Sequence, residues 1–122
     1  MTKEELGPFG EQLAVDYLIK NGYSILDRNV RFKKYEIDIV ATKENELVIV
    51  EVKARNTAEI GEPWRAVTRS KQRQIIQVAD YYVQSRSIDM DVRFDVISIV
   101  HNTFRTDLEH LPAAFDVLRW KN

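Results

Sequence analysis

The sequence contains no cysteine among its 122 residues, which excludes disulfide bonds and thiolate zinc sites. It also has no apolar run near the roughly 18 residues that a membrane-spanning helix needs. The amino-terminal segment MTKEELG lacks the charged and then apolar pattern of a secretory signal peptide. Glycine-rich phosphate loops and nucleophile elbows are absent as well. These absences predict a cytoplasmic protein outside the kinase, dinucleotide-binding and serine-hydrolase classes.

Length and the 44% share of hydrophobic residues predict one folded domain covering residues 1–122. The net charge of −1 indicates no strongly charged partner by itself. The basic residues nevertheless form two clusters, and such clusters can present a basic face to an anion even in a near-neutral protein. An ordinary solvated surface is the alternative explanation. The first cluster is Arg28, Arg31, Lys33 and Lys34, and the second is Arg65, Arg69, Lys71 and Arg73.

Hydrophobic periodicity predicts the element order αβββαβ, followed by a loop and a short helix near residues 113–119. The segment GPFGEQLAVDYLIKNGY predicts a first helix that begins at Pro8 and ends near Asn21-Gly22. The runs SILDRNVRF, YEIDIVAT and ELVIVEVKAR predict three strands of an antiparallel meander. A second helix from about residue 64 to 84 and the strand VRFDVISIV complete an α/β sandwich around one mixed sheet.

Charged residues interrupt the most hydrophobic of these strands, where Glu51 and Lys53 follow a β-branched buried run. Alternate residues share a strand face, so these two side chains point the same way. A two-residue turn at 44–45 pairs Lys43 with Glu46, and counting back from that pair places Asp38 opposite Glu51. The sequence therefore predicts two carboxylates and a lysine on one face of two adjacent strands.

Carboxylates that face each other across strands repel, because their Cβ atoms are only about 5 Å apart. A divalent cation between them would relieve the repulsion, and two carboxylates with water and phosphate suit Mg²⁺ or Mn²⁺. Lys53 could orient the water or offset developing negative charge. The same register places Glu36 opposite Lys53, so a purely structural charge network is an equal alternative on composition and spacing alone.

An Asp on one strand followed by E-x-K on the next resembles the PD-(D/E)xK nuclease superfamily, which includes restriction endonucleases and Holliday-junction resolvases. More closely, nearly the whole chain is similar to the YraN family of small, largely uncharacterised bacterial proteins. The matching segments are Gly10-Glu11, Tyr17-Leu18, GYSIL from Gly22, Arg28-Asn29, EIDIVA from Glu36, VEVKAR from Val50, P-x-x-AV from Pro63, Lys71 and RFDVISI from Arg93. Ile37 stands where the superfamily name has proline.

This resemblance implies a restriction-endonuclease-like fold and Mg²⁺- or Mn²⁺-dependent cleavage of phosphodiester bonds in DNA. Branched DNA and a homodimer are suggested by resolvases alone. The implied catalytic residues are Glu11, Asp38, Glu51 and Lys53, with Asp38, Glu51 and the backbone carbonyl of Val52 as metal ligands. Both basic clusters and Arg55 would bind nucleic acid.

Other functions stay open at this point. RNA is an alternative substrate, because tRNA-splicing endonucleases have a similar core. A nucleic-acid-binding module that kept the fold without catalysis is a second alternative, and a scaffold for a protein partner is a third. Fold alone does not decide among them.

The remaining polar and aromatic residues predict structural roles. His101 and His110 have no partners at metal-ligand or triad spacing, so both are predicted to lie at the surface. Asp95, in the strand RFDVISI, is predicted to serve structure rather than catalysis. Core packing is favoured over base stacking for three aromatic residues, Trp64, Phe115 and Trp120.

Overall fold

The computed structural model describes residues 1–57 and 67–116, which form a mixed five-stranded sheet flanked by two helices. The elements are α1 (Lys3–Lys20), β1 (Ser24–Phe32), β2 (Tyr35–Lys43), β3 (Glu46–Arg55), α2 (Arg69–Ser85), β4 (Asp91–His101) and β5 (Thr106–Phe115). The strands lie in the order β1-β2-β3-β4-β5. The β3–β4 pair is parallel, because α2 carries the chain back across the sheet, and the other pairs are antiparallel. This is the predicted α/β architecture, consistent with a restriction-endonuclease-like core.

The central strand β3 supplies a separate hydrophobic core to each face of the sheet. Leu47 and Ile49 pack in the core that includes residues of α2, whereas Val48 and Val50 pack in the core that includes residues of α1. All four side chains are essentially inaccessible to solvent. Burial on both faces explains why this strand reads as an unbroken apolar run. Glu51, the next residue of this strand, is therefore also buried.

The first helix begins earlier than predicted, at Lys3 instead of Pro8. Thr2 and Glu5 form a capping box: the Thr2 hydroxyl accepts from the Glu5 N–H at 3.2 Å, and the Glu5 carboxylate accepts from the Thr2 N–H at 3.3 Å. This satisfies two backbone donors at the helix start. Pro8 is therefore inside the helix, where it is tolerated because only one intrahelical hydrogen bond near the start is lost.

The second helix begins later than predicted, at Arg69 instead of residue 64. Thr68 is its N-cap, and its hydroxyl accepts from the Lys71 N–H at 3.2 Å. Val67, expected on the helix, is buried but precedes it. Residues 58–66, including Trp64 and the proposed helix start at Pro63, lie outside the described residues. Within the described chain, neither helix is long and apolar enough to cross a membrane.

The tail differs most from its prediction, because residues 106–115 form an edge strand instead of a loop leading into a helix. Pro112 lies within this strand, and an edge strand tolerates the missing donor. Residues 112–114 lie opposite Asp95 alone, and Ala113 has a φ of 51°. This bulge disrupts the alternating pattern that identifies a strand in sequence. Residues 117–122, including Trp120, lie outside the described part of the chain.

Candidate functional site

The predicted register between β2 and β3 is confirmed. Lys43 pairs with Glu46, and the ladder continues to Ile39 opposite Val50. One step beyond that last pair, the same register brings Asp38 to Glu51. The two acidic positions therefore lie where β2 and β3 cease to pair, and Glu51 begins the carboxyl-terminal half of the central strand.

Asp38 and Glu51 form a pair of carboxylic groups in which Glu51 is buried and Asp38 is partly buried. Glu51 is 5% exposed, and its carboxyl group is hydrogen-bonded to that of Asp38. An Asp38 carboxylate oxygen also accepts the N–H of Val52 at 2.8 Å. Burial, together with Asp38, raises the pKa of Glu51 to about 9, and burial also raises the pKa of Asp38. Near neutral pH the pair therefore holds a proton, because two bare carboxylates in this position would repel.

Two lysines act on the buried Glu51. Lys71 of α2 places its Nζ atom 3.7 Å from the Glu51 Oε2 atom, so it reaches the carboxylate pair. Lys53, two residues further along β3, also attracts the Glu51 carboxylate. Both cations lower the pKa of Glu51, but burial and the neighbouring Asp38 outweigh them. The site thus combines two acids and two lysines from three elements.

A cleft of about 480 Å³ opens beside this pair. Its lining residues come from α1, β1, β2 and β3, and they are Gly7, Pro8, Glu11, Arg28, Asn29, Glu36, Asp38 and Val52. Asp38 therefore connects the buried Glu51 to a space that a substrate group can enter. A volume of this size accommodates a nucleotide-sized group.

Close packing of α1 on the sheet places Glu11 in the cleft. A Cβ atom on Gly10 would lie 2.6 Å from the Cβ atom of Ala54, so only glycine permits the observed approach. The adjacent Glu11 accepts hydrogen bonds from Arg28 Nε at 3.2 Å and Asn29 Nδ2 at 3.2 Å. The structure thus brings Glu11 into the same cleft as Asp38, as the resemblance implied.

Asn29 is a cleft residue that the sequence analysis missed. Its side-chain amide also donates to Glu36 at 3.2 Å and so bridges two cleft carboxylates. It lies in the middle of β1 with a φ of 51°, in the left-handed region. Asparagine adopts this region more readily than most residues, but nothing in its neighbourhood in the sequence signals a bend within a strand.

The basic residues predicted to bind nucleic acid have several different surroundings. Arg28 pairs with Glu11, and Arg31 Nε lies 2.9 Å from a Glu36 carboxylate oxygen. Lys33 and Lys34, at the β1–β2 turn, lie over aromatic rings. Lys71 lies beside the carboxylate pair, where it contacts Glu51. Three further residues are Arg55, which ends β3, and Arg69 and Arg73, which are exposed on the first turns of α2. Arg65 lies outside the described residues.

The prediction for His110 is wrong, because it belongs to a buried polar cluster centred on Asp95. The Asp95 carboxylate accepts from His110 Nε2 at 2.7 Å, from Arg93 at 2.8 and 2.9 Å, and from the Ala113 N–H at 3.0 Å. The other His110 ring nitrogen lies 3.0 Å from the Tyr17 hydroxyl of α1. Burial by itself raises the pKa of Asp95, but these hydrogen bonds more than offset it and leave that pKa lowered. The structural role predicted for Asp95 fits this arrangement.

His101 is also not a plain surface residue. It is half-buried, its ring lies 4.4 Å from the Phe9 ring, and its Nδ1 atom lies 2.6 Å from the Thr106 hydroxyl. Ile37 packs in the core on the α2 side, whereas Ile39 and Ala41 pack on the α1 side, although the alternation of a strand predicts all three on one face. The strict alternation of β2 breaks at Asp38, because β2 leaves the β3 ladder after Ile39. Phe115 is buried against Phe94, as predicted.

The oxygen donors of the site suit a small divalent cation. Within residues 1–57 and 67–116, no three His, Cys, Asp or Glu side chains are grouped as a metal site. Asp38 and Glu51 would therefore be completed by the Val52 carbonyl, water and substrate phosphate, a set that Mg²⁺ accepts. Burial raises the pKa of both carboxyl groups, and a cation between them would offset the charge that burial disfavours. The residues present fit such an ion.

Comparison with known proteins identifies relatives along nearly the whole chain. The model of "Uncharacterised protein family UPF0102" matches residues 10–99. A UPF0102 protein of Geobacter metallireducens is 45% identical over 118 residues, covering 96% of this chain and 97% of its own. Those of Syntrophotalea carbinolica and Christiangramia forsetii are 44% and 42% identical, each covering at least 91% of this chain and 93% of its own. The matched region contains all four of the predicted catalytic residues.

Proposed function

From the premise that the chain belongs to the uncharacterised protein family UPF0102, we propose that it is a divalent-metal-dependent nuclease acting on DNA. The observation that carries the proposal is the hydrogen-bonded pair of Asp38 and Glu51, buried beside a cleft that also contains Glu11. Strongly raised carboxyl pKa values next to a cleft are typical of functional sites, because burial of unneutralised acids is costly to the fold.

Asp38 and Glu51 would hold Mg²⁺ or Mn²⁺, with the Val52 carbonyl as a further oxygen ligand and Glu11 acting through water. The bound cation would lower the pKa of a water molecule and offset negative charge on the phosphate. The carboxylates of the site alone would repel a phosphate, so binding of a phosphate requires positive charge nearby. Lys71, Arg28 and Lys53 supply it.

In the proposed reaction, a water oxygen attacks phosphorus and loses one proton to the solvent, one P–O ester bond breaks, and the departing oxygen takes up one proton from the solvent. Lys53 would position the attacking water, and Lys71 would keep the charge of Glu51 balanced as its proton leaves. Arg28 holds Glu11 now and could transfer to a substrate phosphate, since guanidinium groups bind carboxylate and phosphate alike. Each of these roles uses a charge that already lies in or beside the cleft.

A cleavage assay with matched variants tests the proposal. Labelled linear, flapped and four-way DNA would be incubated with the protein and Mn²⁺, Mg²⁺ or EDTA. We expect cleavage with metal and none with EDTA, and at least a hundredfold loss in Asp38→Asn and Lys53→Met. Asp16→Asn and Lys20→Met change exposed residues of α1 and should cleave like the wild type.

Two outcomes would contradict the nuclease. Metal-independent binding without any cleavage would instead support a nucleic-acid-binding module, whose affinity should fall steeply with salt. Neither binding nor cleavage, with every variant folded, would direct the search to protein partners. Repeating the assay with RNA of the same sequences distinguishes the two nucleic acids.

A further inference from the structure

An almost fully exposed phenylalanine stands at the tip of the β4–β5 hairpin. Phe104 is 93% exposed, far more than the next large aromatic residue among the described residues, Tyr81 at 40%. Moving an aromatic ring out of water lowers the free energy. An exposed ring is therefore unfavourable for the isolated protein. This exposure is the feature to be explained.

The hairpin holds Phe104 in a fixed turn. The Asn102 side-chain oxygen accepts from the Phe104 N–H at 2.8 Å and from the Arg105 N–H at 3.1 Å. The Asn102 N–H also donates to the Arg105 carbonyl at 3.0 Å. His101 and Thr106 are hydrogen-bonded at the base of the turn. These bonds fix the backbone around Phe104, so the turn loses little conformational entropy when the ring binds a partner.

The hairpin lies at the same end of the sheet as the carboxylate pair. Asn102 Nδ2 donates to the Asn56 carbonyl at 2.9 Å, which ties the turn to the end of β3. Asn56 follows Glu51 by five residues, about 16 Å along an extended strand. The His101 ring also packs at a tilt against that of Phe9, next to the cleft residue Pro8. A single elongated ligand could therefore contact both the cleft and the hairpin.

We propose that Phe104 stacks on an unstacked base of the nucleic acid whose backbone is cleaved at Asp38 and Glu51. This inference rests on the proposed nuclease and adds its substrate class: strands with unpaired bases, as at forks, flaps or junctions. Because Asn56 lies about 16 Å from Glu51 along the strand, the stacked base lies a few nucleotides from the scissile bond. A continuous duplex offers no such base at that position.

The neighbours of Phe104 favour a base over a protein as its partner. Thr103, Arg105 and Thr106 are exposed and polar, so the ring is not part of an apolar patch. A stable protein interface buries about 800 Å² on each side, which a single ring cannot provide. Stacking on one base needs only one ring face and is worth a factor of roughly ten in affinity.

Binding measured without metal separates this inference from catalysis. A forked DNA would carry 2-aminopurine at successive unpaired positions near the fork, and it would be titrated with the full chain in EDTA at low salt. We expect the wild type to bind the fork about tenfold more tightly than the matched duplex, with 2-aminopurine quenched at one or two neighbouring positions. Phe104→Ala should lose both effects and keep its duplex affinity, whereas Phe104→Trp should keep the preference. Leu26→Ala, which removes another exposed apolar side chain, is the matched control.

A fork preference that survives in Phe104→Ala, or is missing in the wild type, would overturn the inference. Cleavage with no such preference would leave the nuclease standing and remove only the role of Phe104. Preferential binding through Phe104 without cleavage would support the role of Phe104 and contradict the nuclease. The same fork made of RNA shows which nucleic acid supplies the base.

Discussion

Two buried carboxylate clusters lie on the same sheet, and they are constructed in opposite ways. Asp95 is fully buried and surrounded by donors from Arg93, His110 and Ala113, so its pKa is lowered despite burial. Glu51 is buried against another acid, and its pKa is raised to about 9. The first arrangement satisfies a charge, whereas in the second burial disfavours charge, so the pair holds a proton near neutral pH. The difference fits a stabilising role for the Asp95 cluster and the ligand-binding role that we propose for the Asp38–Glu51 pair.

The largest expected effect comes from removing the satisfied charge. Asp95→Ala leaves Arg93 and His110 without their shared hydrogen-bond partner and weakens the contacts of β4 with β5 and α1. We therefore expect the free energy of unfolding to fall by about 3–5 kcal/mol. Urea denaturation measures this loss. Asp107→Ala, which removes an exposed partner of Arg105, should change stability little. Equal stability of the two variants would refute the assigned role of Asp95.

Overpacking between α1 and β3 tests how closely the site depends on its glycine. Gly10→Ala places a Cβ atom 2.6 Å from that of Ala54, and we expect a cost of about 1–3 kcal/mol and weaker cleavage, because Glu11 moves with the helix. Gly7→Ala lies on the same helix with no atom within 4 Å and should be neutral or slightly stabilising in thermal denaturation. Tolerance of alanine at position 10 would show that Glu11 is not fixed by this contact.

Replacing Glu51 with a side chain that needs no proton to stay neutral should stabilise the protein near neutral pH. Because the folded-state pKa of Glu51 lies above its ordinary value of 4.5, its contribution to stability is fully present below pH 4.5 and is lost as the pH rises toward 9. Glu51→Gln should therefore gain about 1–2 kcal/mol over the wild type at neutral pH, with a larger gain at pH 9 than at pH 5, while cleavage is abolished. Glu109→Gln, an exposed change on β5, is the control. A destabilised Glu51→Gln protein would contradict the comparison.

The smallest effect is expected at Lys71, whose side chain is 38% exposed and 3.7 Å from Glu51. Lys71→Met removes one cation that lowers the pKa of Glu51, so that pKa should rise further, with a stability change of about 0–1 kcal/mol. Cleavage should fall more than stability does. Gln77→Met, an exposed change on the same helix, provides the comparison in both assays. Identical cleavage by the Lys71 variant and the wild type would exclude Lys71 from the site.

The strands and the register of the site were predictable because their signals are local. The limits of β1 and β3 follow directly from their β-branched residues and from the two-residue turns that separate each of them from β2. Counting from Lys43 and Glu46 placed Asp38 beside Glu51, because the two-residue turn sets the register and a one-residue slip would send Asp38 to the opposite face.

The Asp95 cluster was not predictable in the same way. His110 reaches Asp95 only because β5 folds back on β4 with a bulge at Ala113. Pro112 and the irregular alternation hide that strand, so the histidine could not be assigned a partner. The contact of Arg28 with Glu11 likewise depends on the docking of α1 against β1, which no local pattern in the sequence encodes.

The titration of individual carboxyl groups, followed by NMR of protein carrying ¹³C-labelled Asp and Glu side chains, tests the central contrast most directly. The predicted result is a Glu51 titration above neutral pH, an Asp38 titration above 3.8 and an Asp95 titration below 3.8. Added Mg²⁺ should lower the Glu51 titration and leave that of Asp95 unchanged, because only the first pair exchanges its proton for a cation. Titration of Glu51 near its ordinary value of 4.5, with or without Mg²⁺, would contradict the account.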